Sequence, residues 1–160
     1  MPVMTGAEIH HISFEVEDTR RSRWWHDRFL GRLGFRRFAD DPTYLGYSNG
    51  SQTMWLLQSN SPRIRRRPPT GDEEVIAEHV AFKVGSGAEV AKIQEDLARQ
   101  EIYPIFRCEE HPEFRPGYVS ATWVDPDRIV LEVYFVPDAK KRAARAAHRR
   151  RPVRRARKKR

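Results

Sequence analysis

Two histidines occupy equivalent positions in a segment that the chain contains twice. Residues 9–16, with the sequence IHHISFEV, return 68 residues later as residues 77–84, AEHVAFKV, so that His79 corresponds to His11. After each histidine, apolar residues alternate with polar or small ones, which is typical of a β-strand with one buried face. Two imidazoles on the same side of two related strands predict metal ligands that converge about a pseudo-twofold axis.

The elements that follow these strands also repeat. Each half continues with a helical pattern, and each helix is followed by three extended segments. The sequence therefore predicts an α+β fold of two paired βαβββ modules, whose curved mixed sheet surrounds a metal-binding cleft. In the first half the predicted helix covers residues 20–31, and the extended segments after it are 35–38, 44–47 and 52–58. In the second half the predicted helix covers residues 88–100, the extended segments are 102–108, 118–124 and 129–136, and residues 109–117 form a loop.

The last strands of the two halves extend the repeat to a second pair of polar residues. Their sequences, WLLQ and IVLE, align so that Gln58 falls on Glu132. Each module therefore offers one pair from its first and last strands, His11 with Gln58 and His79 with Glu132. Because side chains alternate along a strand, the parity of the last strand is expected to turn Gln58, and not Leu57, towards the cleft.

The net charge of +8 comes from one end of the chain. Residues 139–160 hold 13 of the 30 Lys and Arg and no acid, so residues 1–138 carry a net charge of −5. We expect a folded domain over residues 1–138, with modules at about 8–60 and 76–136, and a basic tail that is too charged to bury a core. Two roles are open for the tail: a disordered solubilising segment, or non-specific contact with nucleic acid or another acidic surface through counterion release.

Composition argues against several classes of protein. The sequence has no apolar run of about 18 residues and no secretory signal, which predicts a cytoplasmic protein without a membrane span. The single Cys108 cannot form an internal disulfide, in agreement with a reducing compartment.

These motifs resemble the vicinal oxygen chelate superfamily, which includes glyoxalase I, the type I extradiol dioxygenases, the fosfomycin resistance proteins and the metal-free bleomycin resistance proteins. The resemblance spans roughly residues 8–136. Its most specific parts are HISFEVED at 11–18, FLGRLGF at 29–35, and DPD at 125–127 followed by Glu132.

The resemblance implies one divalent metal ion in the cleft, held by His11, Gln58, His79 and Glu132. Two imidazoles, a carboxylate and an amide oxygen suit Ni, Zn, Fe, Mn or Co in a site that keeps coordination positions for substrate. Such an ion would polarise two adjacent oxygens of a small substrate and stabilise an enediolate or oxyanion. The matching role of proton shuttle falls on Glu132, since the amide of Gln58 cannot act as a base.

Three functions are compatible with this resemblance. A glyoxalase-like lyase or isomerase matches the ligand set and is the predicted function. A ring-cleaving dioxygenase is less favoured, because Thr122 and Arg128 stand where the extradiol pattern has Tyr and Gly. The third alternative, a non-catalytic binding or resistance protein of the bleomycin resistance type, would lack the metal ligands.

Three further residues are expected near the substrate, in or beside a loop over residues 109–117 that is predicted to cover the cleft. His111 and Tyr118 are candidates for substrate contact or for supporting the ligands, and Arg115 for binding a substrate carboxylate. Members of the superfamily commonly dimerise across edge strands, so the resemblance also implies a homodimer. The site can then lie within one chain or between two.

Overall fold

The computed structural model describes residues 8–60 and 78–138, and both parts follow the predicted order of elements. Each forms a strand, a helix and three strands, which confirms the prediction of two βαβββ modules. No helix in these two ranges is long and apolar enough to cross a bilayer. The predicted tail over 139–160 and its contact with nucleic acid lie outside the described residues.

Module 1 contains β1 (His11–Val16), α1 (Thr19–Arg32), β2 (Arg36–Asp41), β3 (Tyr44–Ser48) and β4 (Thr53–Gln58); module 2 contains β5 (His79–Lys83), α2 (Gly87–Ala98), β6 (Phe106–Glu110), β7 (Val119–Val124) and β8 (Val130–Phe135).

Each module has its own four-stranded sheet. The strand orders are β1-β4-β3-β2 and β5-β8-β7-β6. In both sheets the first strand of the module pairs in parallel with the last, and the other pairs are antiparallel. Within the described ranges β1 and β5 are therefore edge strands, and the modules do not share one continuous sheet.

One apolar core joins the two modules. Phe29 of α1 packs against Phe82 of β5 and Trp123 of β7, with ring centroids 6.1 and 5.4 Å apart. Alternate apolar residues of β1 and β5 pack against the same cluster, as their period of two predicts. The opposite faces of these strands, which carry His11 and His79, point away from the core.

A buried polar contact fixes α1 of the first module on the second module. His26 is fully buried, and its Nε2 lies 3.0 Å from Oδ2 of Asp125. Because an ionised carboxylate can only accept, Nε2 carries the hydrogen. The other oxygen of Asp125 accepts the backbone N–H groups of Asp127 and Ile129 at 2.8 and 2.7 Å. One carboxylate thus shapes the turn between β7 and β8 and anchors the helix of the other module.

Asp127 provides a second attachment beside the first. Its carboxylate accepts the hydroxyl of Ser22 at 2.6 Å, the guanidinium of Arg21 at 2.8 Å and the backbone N–H of Glu17 at 2.8 Å. Arg128, next in the turn, has a φ of 65°, in the left-handed region that an L-residue enters at a cost. The turn therefore adopts a backbone conformation that favours glycine without having a glycine.

We expect Asp125→Ala to lower the free energy of unfolding by about 3 kcal/mol or more, because the change leaves three buried donors without their acceptor. Urea denaturation followed by circular dichroism measures this loss. Asp41→Ala is the matched control, since Asp41 accepts the backbone N–H and the hydroxyl of Thr43 in an exposed turn. Equal losses in the two variants would contradict a central role for the buried contact.

Candidate functional site

A cavity of about 390 Å³ opens on the outward face of the second sheet. All four strands of module 2 and the loop between β6 and β7 contribute to its wall. The lining combines carboxylates, imidazoles and aromatic rings with three hydroxyls, and the residues are His79, Phe106, Glu109, His111, Glu113, Phe114, Tyr118, Ser120, Thr122 and Glu132.

His79 and Glu132 meet in this cavity. The parallel register pairs Ala81 with Glu132, so Glu132 shares a face with His79, two residues earlier on β5. Nε2 of His79 lies 3.2 Å from Oε2 of Glu132. The structure therefore brings together the two residues that the sequence repeat pairs in module 2.

Tyr118 holds the other oxygen of Glu132. Its hydroxyl donates to Oε1 at 3.0 Å, and its ring stacks on Tyr134 with centroids 5.2 Å apart. Burial, and then the neighbouring carboxylate, raises the pKa of Tyr118 well above its usual value. The phenol therefore keeps its proton at neutral pH and fixes the orientation of the carboxylate.

The end of β6 and the loop after it supply a second group of one imidazole and two carboxylates. Nδ1 of His111 lies 3.0 Å from Oε1 of Glu113, and its Nε2 lies 3.8 Å from Oε1 of Glu109. A hydrogen bond from its own backbone N–H, assisted by His111, lowers the pKa of Glu113. His111 and Tyr118 thus line the cavity as expected, whereas Arg115 is absent from the described residues that line it.

The histidine of the first module, His11, is not among the described residues that line this cavity. His11 pairs with Thr53 on β4, and the same outward face carries Leu57. Gln58 pairs with Val16, which is buried in the core, and so shares the inward face. The predicted parity of the last strand is therefore wrong: Leu57, and not Gln58, lies on the face of His11.

Gln58 supports the start of α1 instead. Its Oε1 accepts the backbone N–H of Thr19 at 3.0 Å, and its Nε2 donates to the carbonyl oxygen of Glu17. The first N–H groups of a helix have no acceptor within the helix, so this amide satisfies one of them. Both polar atoms of the side chain are engaged away from His11, and the geometry does not support Gln58 as a metal ligand.

One chain brings together two of the four predicted ligands. Within residues 8–60 and 78–138, no group of three or more His, Cys, Asp or Glu is placed to hold a metal ion. His11 therefore does not join His79 and Glu132 in the same chain. The physical reason is that β1 and β5 belong to separate sheets, and each turns its histidine away from the shared core.

Sequence reasoning missed several residues of the cavity wall, of which Phe106 and Glu109 are instructive. They lie three positions apart on β6, and simple alternation would place them on opposite faces. A register shift between them pairs Phe106 with Thr122 and Glu109 with Ser120, which brings both to the cavity. No local signal in the sequence predicts this irregularity.

Aromatic residues cover the outward face of the first sheet. Trp55 contacts Phe38 and Tyr44, with ring centroids 5.1 and 6.1 Å apart. A Cβ at Gly46 would lie 2.7 Å from the ring of Trp55 and 2.9 Å from that of Phe38, so only glycine fits beneath them. Phe38 is 58% exposed and Tyr44 40%, which leaves an apolar surface on β2 and β3 of the sheet whose first strand carries His11.

Comparisons with known proteins agree on the fold. No family model matches the chain. The uncharacterized protein YqjT of Bacillus subtilis (strain 168) is 25% identical over 126 residues, which cover 78% of this chain and 96% of that protein.

Solved structures with related folds cover most of the chain at low sequence identity. A putative glyoxalase from Bacillus halodurans has a TM-score of 0.61 and 21% identity, over 80% of this chain and 95% of that one. Lactoylglutathione lyase from Agrobacterium tumefaciens has a TM-score of 0.60 and 17% identity, over 82% and 95%. A glyoxalase/bleomycin resistance protein/dioxygenase from Alicyclobacillus acidocaldarius has a TM-score of 0.62 and 12% identity, over 86% and 98%. The chain therefore has the vicinal oxygen chelate fold, which the glyoxalase/bleomycin resistance/dioxygenase proteins share.

Proposed function

We propose that the protein is a metal-dependent lyase or isomerase of the glyoxalase type, which acts on a small substrate with two adjacent oxygens. The observation that carries this proposal is the contact of His79 with Glu132 inside a cavity large enough for a small molecule. An imidazole nitrogen and a carboxylate oxygen 3.2 Å apart are donors of the kind that first-row divalent ions bind.

The imidazole of His79 and the carboxylate of Glu132 are suitable ligands for such an ion, but within the described part of one chain they are the two predicted ligands that lie together. A third imidazole, His11, lies on the outward face of the first module. We therefore infer a homodimer in which His11 of one protomer approaches His79 and Glu132 of the other. The exposed rings of Phe38 and Tyr44, on the sheet of the first module that carries His11, support an interface on that module.

Glu132 is the residue that moves the proton in this proposal. A divalent ion bound at the site would supply Lewis acidity towards the two substrate oxygens. Tyr118 holds Oε1 of Glu132, so Oε2 is the atom that accepts a proton from one substrate carbon and returns it to the neighbouring carbon. Phe106 and Phe114 line the same cavity and give it apolar surface.

A second candidate function is a non-catalytic small-molecule-binding protein. It is favoured by the absence, within the described part of one chain, of a third donor beside His79 and Glu132. In this case the two side chains form a hydrogen-bonded pair that contacts the ligand directly. Assays with 2-oxoaldehyde hemithioacetals, and with catechols under oxygen, separate the candidates, because a binding protein turns over neither.

We expect the full-length protein to bind about one divalent ion per chain after reconstitution with Ni, Zn, Fe, Mn or Co, as measured by elemental analysis. His79→Ala and Glu132→Gln should each weaken binding by roughly 100-fold or more, since loss of a group that merely supports a ligand already costs up to that amount. Gln58→Ala should keep the metal and destabilise only the start of α1. Full metal content in His79→Ala would contradict the proposed ligands.

We expect His11→Ala and His79→Ala proteins to complement each other when they are co-refolded. If the site forms between protomers, a mixed dimer contains one site with both histidines and one with neither. Random pairing should then restore roughly one quarter of the wild-type metal content and activity. A mixture that regains nothing over the separate variants would contradict a shared site, and wild-type protein refolded in parallel controls for recovery.

A further inference from the structure

We propose that the cavity of the second module selects a substrate with an aromatic ring and a positively charged amine, and disfavours substrates that carry carboxylates. This inference rests on the proposed function for the identity of the reacting atoms. The charge and the rings of the cavity wall carry the preference itself.

The charged groups of the wall are carboxylates. Glu109, Glu113 and Glu132 line the cavity, and no Lys or Arg is among the described residues that do so. A cleft whose charged side chains all have the same sign focuses the electrostatic field, and it concentrates ligands of the opposite charge. Arg115, which the sequence suggests for binding a substrate carboxylate, does not contribute to the wall.

The carboxylates differ in what already engages them. Glu132 accepts a hydrogen bond from Tyr118 and lies beside His79. Glu113 and Glu109 share a single imidazole, that of His111. The loop side of the cavity therefore has two carboxylates for one imidazole, and an ammonium group placed there would balance the second negative charge.

Aromatic rings stand next to these carboxylates. Phe114 is 55% exposed, yet its ring is held between His111 and Tyr118, with centroids 5.6 and 5.8 Å away. Phe106 lines the same cavity. Ring faces beside carboxylates suit an organic cation, because the ring quadrupole attracts positive charge and the ring itself covers the apolar part of the ligand.

A second copy would bring the outward face of the first module to the cavity. On β1, β4 and β3 the residues of this face include Glu15, Trp55 and Tyr44 but no Lys or Arg, and Arg36 shares the face on β2, at the opposite edge of the sheet from β1. On the second sheet, Lys83 lies on the outward face opposite Tyr134, two pairs beyond Ala81, and is not among the residues that line the cavity. A substrate with several carboxylates, as a glutathione conjugate has, would meet like charge.

The test uses three probes that share one phenylethyl group: 2-phenylethylamine, 2-phenylethanol and 3-phenylpropanoate. Ligand-observed NMR titrations with metal-free full-length protein at neutral pH give the three dissociation constants. We expect the amine to bind most tightly, the alcohol less and the carboxylate least. Equal or tighter binding of 3-phenylpropanoate in the cavity would overturn the proposal.

Glutamine variants assign the preference to the cavity. In the double variant Glu109→Gln, Glu113→Gln, amine binding should weaken by about fivefold for each carboxylate removed, while binding of the alcohol stays unchanged. Glu95→Gln, which alters an exposed glutamate paired with Arg99 on α2, is the matched control and should change nothing. Because the basic tail can attract the anionic probe, the difference between wild type and the double variant is the decisive quantity. No difference in amine binding would overturn the proposal.

The metal-content measurement on the same preparations separates this inference from the proposed function. An amine preference that disappears in the double variant supports the inference even in a protein that binds no metal, in which case only the enzymatic proposal fails. A protein that binds its metal but shows no amine preference keeps the enzymatic proposal and overturns this one.

Discussion

The arrangement of the whole domain depends on the buried contact between His26 and Asp125. The burial of two polar side chains lowers the stability of the fold unless they are hydrogen-bonded. Asp125 is fully hydrogen-bonded in this sense, because its carboxylate accepts three donors at once. Within the described residues Nδ1 of His26 has no partner, so the bond through Nε2 alone orients the ring. Since His26 belongs to the first module and Asp125 to the second, this contact joins the two modules beside the core that their sheets share.

The orientation of the candidate ligands follows from that packing. The inward faces of both sheets pack into the shared apolar core. The histidine on the first strand of each module therefore lies on the outward face of its sheet. A chain built in this way carries two partial donor sets rather than one complete set. Under the proposed function, chemistry and assembly are coupled, because a second copy would have to supply the missing imidazole.

Net charge is a poor guide to the chemistry of this protein. The value of +8 suggests anionic partners, yet 13 of the basic residues lie in the last 22 positions and the remainder of the chain is acidic. The cavity follows the folded part, with three glutamates and two imidazoles in its wall. Because exposed charges are largely screened beyond about 10 Å at physiological ionic strength, the charges of the wall describe the field inside the cavity better than the net charge does.

The sequence by itself determined the two βαβββ modules, since the repeat and the alternation of apolar residues are local patterns, and it also paired His79 with Glu132. It did not determine the face of Gln58, because a shift of one residue between β1 and β4 exchanges every side chain between the two faces. Nor did it determine the bulge that turns both Phe106 and Glu109 to the cavity. Only the tertiary structure decided that His11 does not join His79 and Glu132, because this depends on how the two modules pack, through contacts such as that of His26 with Asp125, 99 residues away along the chain, which no local pattern encodes.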